Sequence, residues 1–281
     1  MTKKRFSMGL VFLSMMLGNS AHGALHRPES AIVVRERVLY ESTIWSGDLV
    51  VVGPVRVSKT ARLTIEPGTR VFFDLPKPPE GSDCQPWLLV LGRVEARGTP
   101  EEPVVFAALG KRQNQFENMI DVQAARDAVF KHCVFERGPW GLHLHDTQAT
   151  IESCVFRDSY GGLRFKGGPV VVRDSRFERN RIGIRCLEAS PTLRKNAFVD
   201  NLTGIFFRQE VREPVIRENR FANVEYDIKL GEMQTTDVDA AENWWSATEG
   251  RLAERIFDGA DSEGVGRVQT EPAHLGWREM P

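Results

Sequence analysis

Two histidines one residue apart, His143 and His145, flank Leu144 and are followed by Asp146. On a strand alternate side chains share a face, so both imidazoles project together. Two imidazoles hold copper or zinc when a third ligand arrives. His132, Asp146 and Glu188 are candidates for that ligand. Nothing in the spacing places them beside the pair, so no metal and no cofactor is assigned. Basic residues follow in sequence: Arg164 and Lys166, then Arg185, then Arg208 beside Phe206. Regularly spaced cations attract a linear polyanion. A glycosidase would need two carboxyl groups across the scissile bond. Asp158 and Glu178 qualify only by elimination, because both have basic neighbours. The catalytic residues are therefore left unassigned.

The elements that position these residues come from a repeat. Phe135, Phe156, Phe177 and Phe198 stand 21 residues apart, and Phe221 follows after 23. Gly141, Gly162, Gly183 and Gly204 keep the same beat six residues later. A fixed period in the twenties means one unit stacked on copies of itself. A large apolar residue precedes each phenylalanine by five positions, as in Phe130, Ile151, Val172, Leu193 and Ile216. After each glycine come Leu142-His143-Leu144, Leu163-Arg164-Phe165, Ile184-Arg185-Cys186 and Ile205-Phe206-Phe207. That apolar, exposed, apolar order is the period of a half-buried strand.

Each repeat reads as two short strands, too short to contain a crossover helix. The economical structure is an all-β solenoid, a single-stranded parallel β-helix with rungs of about 21 residues, each strand stacked about 4.8 Å from its counterpart. A propeller is the alternative, but its blades need about 40 residues. Two positions before each phenylalanine stand Cys133, Cys154, Ser175, Asn196 and Asn219, and stacked asparagines can bond along the axis. On such a stack His143, Arg164, Arg185 and Phe206 form one exposed column, with Lys229 in the last, irregular rung. His145, Lys166 and Arg208 form the next. One position after the phenylalanines run Glu136, Arg157, Glu178 and Val199, then Arg137, Asp158, Arg179 and Asp200. Alternating signs predict a ladder of cross-rung ion pairs.

Lys3-Lys4-Arg5, the apolar stretch Phe6 to Leu17, and Ala21-His22-Gly23 together read as a signal peptide over residues 1–23. The mature domain is expected over 24–281: irregular opening rungs at 32–109, regular repeats at 119–230 and a C-terminal cap at 231–281. No second apolar run follows, so no transmembrane segment is expected after cleavage. Leu75 to Pro86 and Gly110 to Asn118 read as loops. Thr248 is expected to cap a short helix carrying Leu252, Ile256 and Phe257, with Trp244 and Trp245 covering the last rung. Export permits disulfides. Cys133 and Cys154 occupy equivalent rung positions, but parallel side chains strain such a bond, so free thiols are expected. The formal net charge of −1 is not that of a nucleic-acid binder. It is uneven: Leu163 to Arg220 holds 13 Lys and Arg against 7 Asp and Glu.

Three blocks carry a resemblance over nearly all of the mature chain: Leu63-Thr64-Ile65-Glu66-Pro67-Gly68-Thr69 with Gly92 to Thr99; the 21-residue repeats; and Glu242-Asn243-Trp244-Trp245 with Ile256-Phe257-Asp258-Gly259. They resemble the right-handed parallel β-helix proteins of the pectin-lyase-like superfamily, of the bacterial secreted type. The resemblance implies the fold strongly and the function weakly, since the group includes lyases, hydrolases, epimerases and adhesins. Its lyases gather carboxylates for calcium beside an Arg or Lys base, which the exposed columns here do not do. The adjacent-aspartate and Gly-His-Gly patterns of its polygalacturonase-like members and the Asp-Pro-His-Asp of its epimerases are missing. Some periplasmic members assist copper-site assembly, which is the context for His143 and His145. The leading expectation is an exported scaffold, periplasmic or extracellular, that binds an acidic polysaccharide or another cell-envelope component without catalysis. The face expected to bind is His143, Arg164, Lys166, Arg185, Phe206 and Arg208. A polysaccharide lyase or glycoside hydrolase with an unrecognised site is the alternative, and a metal-handling protein the second alternative.

Overall fold

The computed structural model describes residues 27–74, 86–110, 116–248 and 250–276. The segment expected to be a signal peptide, Cys84 and most of the two expected loops lie outside these residues. The chain winds through three parallel sheets in turn, of eleven, ten and eight strands. Each strand therefore pairs with the strand three places on, and one turn of the chain is one rung. Register is strict: Phe135 pairs with Phe156, Phe156 with Phe177, Phe177 with Phe198 and Phe198 with Phe221.

A repeat holds three strands, where the sequence pattern suggests two. The block from the apolar residue to the phenylalanine is split by a corner. His132, Ser153, Asp174, Lys195 and Glu218 occupy it with φ between 46° and 59°. A left-handed residue turns the chain sharply, so Phe130 lies on the eight-stranded sheet and Phe135 on the eleven-stranded one. Both side chains still point inward and are fully buried.

The core is a column of rings. Phe106, Phe135, Phe156, Phe177, Phe198, Phe221 and Trp245 stack with centroids 4.5–5.1 Å apart. This spacing follows from the sheet step, since a ring placed identically on each rung must meet its neighbour at that distance. The glycine beat has the same origin. A Cβ added at Gly162 would lie 2.7 Å from the carbonyl of Gly183 and 2.8 Å from the ring of Phe177. Trp245 thus continues the stack instead of covering it, and Trp244 stacks on His274 of a further rung, centroids 4.8 Å apart.

Buried amides run beside the rings. Asn196 Nδ2 donates to Asn219 Oδ1, and Asn219 Nδ2 donates to Asn243 Oδ1, both at 3.0 Å, as the stacked asparagines predict. A second ladder joins Ser159, Asn180, Asn201, Asn223 and Asp227 along another corner. These amides satisfy the backbone N–H groups that the corners remove from the sheets. The expected ion-pair ladder forms in part: Arg157 binds Glu136 at 2.7 Å and Arg179 binds Asp158 at 2.8 Å.

The C-terminal helix expected behind Thr248 is not formed. Ala253–Arg255 makes a single 3-10 turn, and Ile256–Phe257 is a strand paired with Ile228 and Lys229. The open edge of the preceding strand pairs with this segment, whose backbone groups one turn of helix would leave unsatisfied. Among the described residues no helix is long and apolar enough to cross a membrane.

Candidate functional site

The residues singled out by type and spacing fall on the outer face of the ten-stranded sheet. Its strands there are Asn118–Gln123, Trp140–His145, Gly161–Lys166, Ile182–Leu187, Thr203–Arg208, Tyr226–Leu230 and Ile256–Phe257. Register sets Asp121, His143, Arg164, Arg185, Phe206, Lys229 and Phe257 in one continuous column. Gln123, His145, Lys166, Leu187 and Arg208 form the adjacent column. Both follow from strand alternation, because the residues between them point into the core.

The cations of the two columns differ in their surroundings. In the second column Lys166 pairs with Glu188 at 3.2 Å and Arg208 with Glu232. In the first, Arg164 lies over the ring of Trp140 at 5.4 Å, with Arg185 on the next rung. Burial, and then the like charge of Arg185, pull the Arg164 guanidinium down to about 10, against the weaker opposing effects of Asp121 and Tyr160. Burial also lowers Arg185, with Arg208 beside it adding to the effect. The Nε of Arg185 is buried and bonds nothing among the described residues. These two half-buried guanidiniums stand on adjacent rungs of the column.

Aromatic rings frame the cations. Lys229 Nζ sits 5.9 Å from the Phe206 ring, 5.1 Å from Tyr226 and 4.7 Å from Phe257. Trp140 meets Tyr160 edge-on at 5.9 Å, and Arg181 lies 6.0 Å from the Tyr160 ring. Trp140 is accommodated because the next rung has Gly161 beneath it, where a Cβ would lie 2.3 Å from the indole. Of these rings the sequence pattern had marked only Phe206. Trp140 and Tyr226 stand three residues before His143 and Lys229, a signal readable once the column is known.

The histidine pair divides. His145 Nδ1 is 3.2 Å from its neighbour Asp146. His143 Nδ1 lies 3.0 Å from Asp121 Oδ2, on the preceding rung. Asn118 Nδ2 donates to the same Asp121 oxygen at 3.3 Å. Asp121 and Asn118 are almost fully buried, at 5% and 6% exposure. The two imidazole centroids are 6.3 Å apart. His132 sits at a corner between the other two sheets, and Glu188 is engaged by Lys166. Among the described residues no three of His, Cys, Asp and Glu gather into a metal-binding group. Asp158 is bound by Arg179, and Glu178 by Arg176 and Arg179, so neither carboxylate of the hydrolase reading stands ready for a glycosidic oxygen. Shallow depressions at Ser42 to Arg93 and at Glu188 to Arg212 lie off this face.

Comparison with known proteins agrees with the topology. Residues 118–235 match the family described as right handed beta helix region. The chain is a right-handed parallel β-helix. The matched span contains every residue of the face from Asn118 to Lys229. No curated protein and no solved structure matches this β-helix.

Proposed function

We propose that this β-helix is an exported scaffold that binds an acidic polysaccharide of the cell envelope along the outer face of its ten-stranded sheet. The observation that carries the reading is the register that sets Arg164 and Arg185 on adjacent rungs of one column, with Lys166 on the adjacent column. Two like charges one sheet step apart, both partly desolvated, disfavour each other, and an anion laid across them relieves the repulsion. Successive carboxylates or sulfates on an extended polymer meet successive rungs. Phe206, Tyr226 and Phe257 add flat apolar surface on which sugar rings stack, the combination of aromatic walls and few polar groups typical of ligand faces.

Retention on an acidic-glycan resin tests this. Replacing Arg164, Lys166 and Arg185 together with glutamine is expected to abolish retention at physiological salt while leaving the far-ultraviolet circular dichroism unchanged. Equal retention of the variant and the parent would remove the proposal.

A further inference from the structure

We infer that the opening rung is an interface on which a second copy of this chain docks head to head. Ile32–Val34, Arg37–Leu39 and Thr43–Trp45 are each the terminal strand of its sheet. One side of their backbone therefore meets no strand among the described residues, and such an edge is a template for another chain.

The same rung gathers apolar surface. Ile32, Val38, Tyr40 and Ile44 are 62%, 40%, 74% and 64% exposed, four of the eight exposed large hydrophobic side chains among the described residues. Ile32 occupies an inward position, since its register partner Leu49 is buried in the core. The core thus surfaces at this end, as a face made for association does. Removal of residues 1–23, which the export reading requires, leaves three residues ahead of Arg27. Three residues reach at most about 11 Å, far short of a further rung.

Two features select a second copy as the occupant. The first is charge. Arg35 and Glu41 are both exposed and stand three residues on either side of Val38. A two-fold axis through Val38 sets Arg35 of each copy against Glu41 of the other. It also sets Arg37 opposite Leu39, so the two exposed Arg37 side chains do not face each other. The second feature is shape. The axis reverses chain direction, so Arg37–Leu39 pairs with its own copy antiparallel while Ile32–Val34 lies against Thr43–Trp45. The three strands are consecutive in the chain and form one rim. The far end offers no matching rim for head-to-tail docking. There His274–Leu275 extends the eleven-stranded sheet alone, and Val238–Asp239 and Val268–Gln269 form a two-stranded sheet apart.

The pairing reaches the cation face. Val38 heads the column that runs through Arg56 and Leu89 to Asp121 and His143. The axis therefore joins two ten-stranded sheets into one and turns both cation columns to the same side.

Sedimentation velocity of the exported protein across the micromolar range tests the inference, and a dimer is expected. Arg35→Glu and Glu41→Arg should each weaken dimerisation at least about 100-fold, because like charges then face each other on both sides of the axis. Mixing the two variants should restore a dimer, each copy supplying the charge that the other lacks. Circular dichroism checks that both variants fold. A monomeric parent, an assembly that grows past two copies, variants that dimerise like the parent, or a mixture that stays monomeric would each overturn the inference. No polysaccharide is present in this experiment, so its failure leaves the binding proposal standing.

Discussion

Replacing Asn219 with alanine tests how the stack is held together. Its amide is fully buried and makes four side-chain hydrogen bonds. Nδ2 donates to Leu193 O at 2.9 Å and to Asn243 Oδ1 at 3.0 Å. Oδ1 accepts from the backbone N–H and from Nδ2 of Asn196, each at 3.0 Å. In the variant Asn196 Nδ2 keeps Val172 O, and Asn243 Oδ1 keeps the backbone N–H of residue 219. The Asn196 N–H keeps nothing. One orphaned buried donor costs about 1–3 kcal/mol and the other lost bonds about 0.5–1.5 each, so Asn219→Ala should destabilise by about 3–5 kcal/mol. Serine in this column is a built-in comparison, since Ser175 Oγ accepts from the Cys154 N–H at 3.1 Å. Asn219→Ser should therefore restore an acceptor for Asn196 and recover about half of the loss. Urea unfolding followed by circular dichroism reads the total. Because solenoid rungs need not unfold as one, amide exchange at Asn196 reads the local effect. A loss below about 1 kcal/mol, or serine as damaging as alanine, would refute the account of the ladder.

Other expectations follow from the same structure. Phe177 is stacked between Phe156 and Phe198 at 4.8 and 5.1 Å, so Phe177→Ala should cost about 3–5 kcal/mol in urea unfolding. Burial raises the Asp227 carboxyl, with Asn223 and Arg255 opposing it. A carboxyl raised in the folded state binds more protons there than in the unfolded chain, so its contribution to stability falls as pH rises above the ordinary carboxylate range. Asp227→Asn retains an acceptor for Asn223 and should remove that decline, measured as unfolding midpoints between pH 4 and pH 8. Cys133, Cys154 and Cys186 are free and buried, and burial pushes the Cys133 and Cys186 thiols well up. All three should resist alkylation in the native protein and label on denaturation, as read by mass spectrometry.

Much of the fold was legible because one period controls it. The phenylalanine beat specified the ring stack, and the small and amide residues two positions earlier specified the axial ladder. The cation columns followed from alternation alone. The third strand was hidden because its corner has no compositional mark. His132, Ser153, Asp174, Lys195 and Glu218 share a left-handed φ without sharing a residue type. Asp121 escaped notice for a related reason. The rung that holds it lies between Phe106 and Phe135, where the 21-residue spacing is broken, so the partner of His143 carried no periodic signal. Ile120-Asp121-Val122 does mirror Leu142-His143-Leu144 at a distance of 22 residues, which locates it once the stack is assumed. The closing segment reads as helix in sequence because apolar spacing at Leu252 and Ile256 suits either a turn of helix or an edge-seeking strand. The open edge of Tyr226–Leu230 decided between them.

Hydroxyl-radical footprinting of the protein with and without the acidic polysaccharide it retains tests the central claim most directly. The account predicts protection confined to Phe206, Tyr226 and Phe257, with Tyr40 and Trp244 labelled equally in both states. Uniform labelling of the ten-stranded face, or protection on the eleven- or eight-stranded sheets, would contradict it.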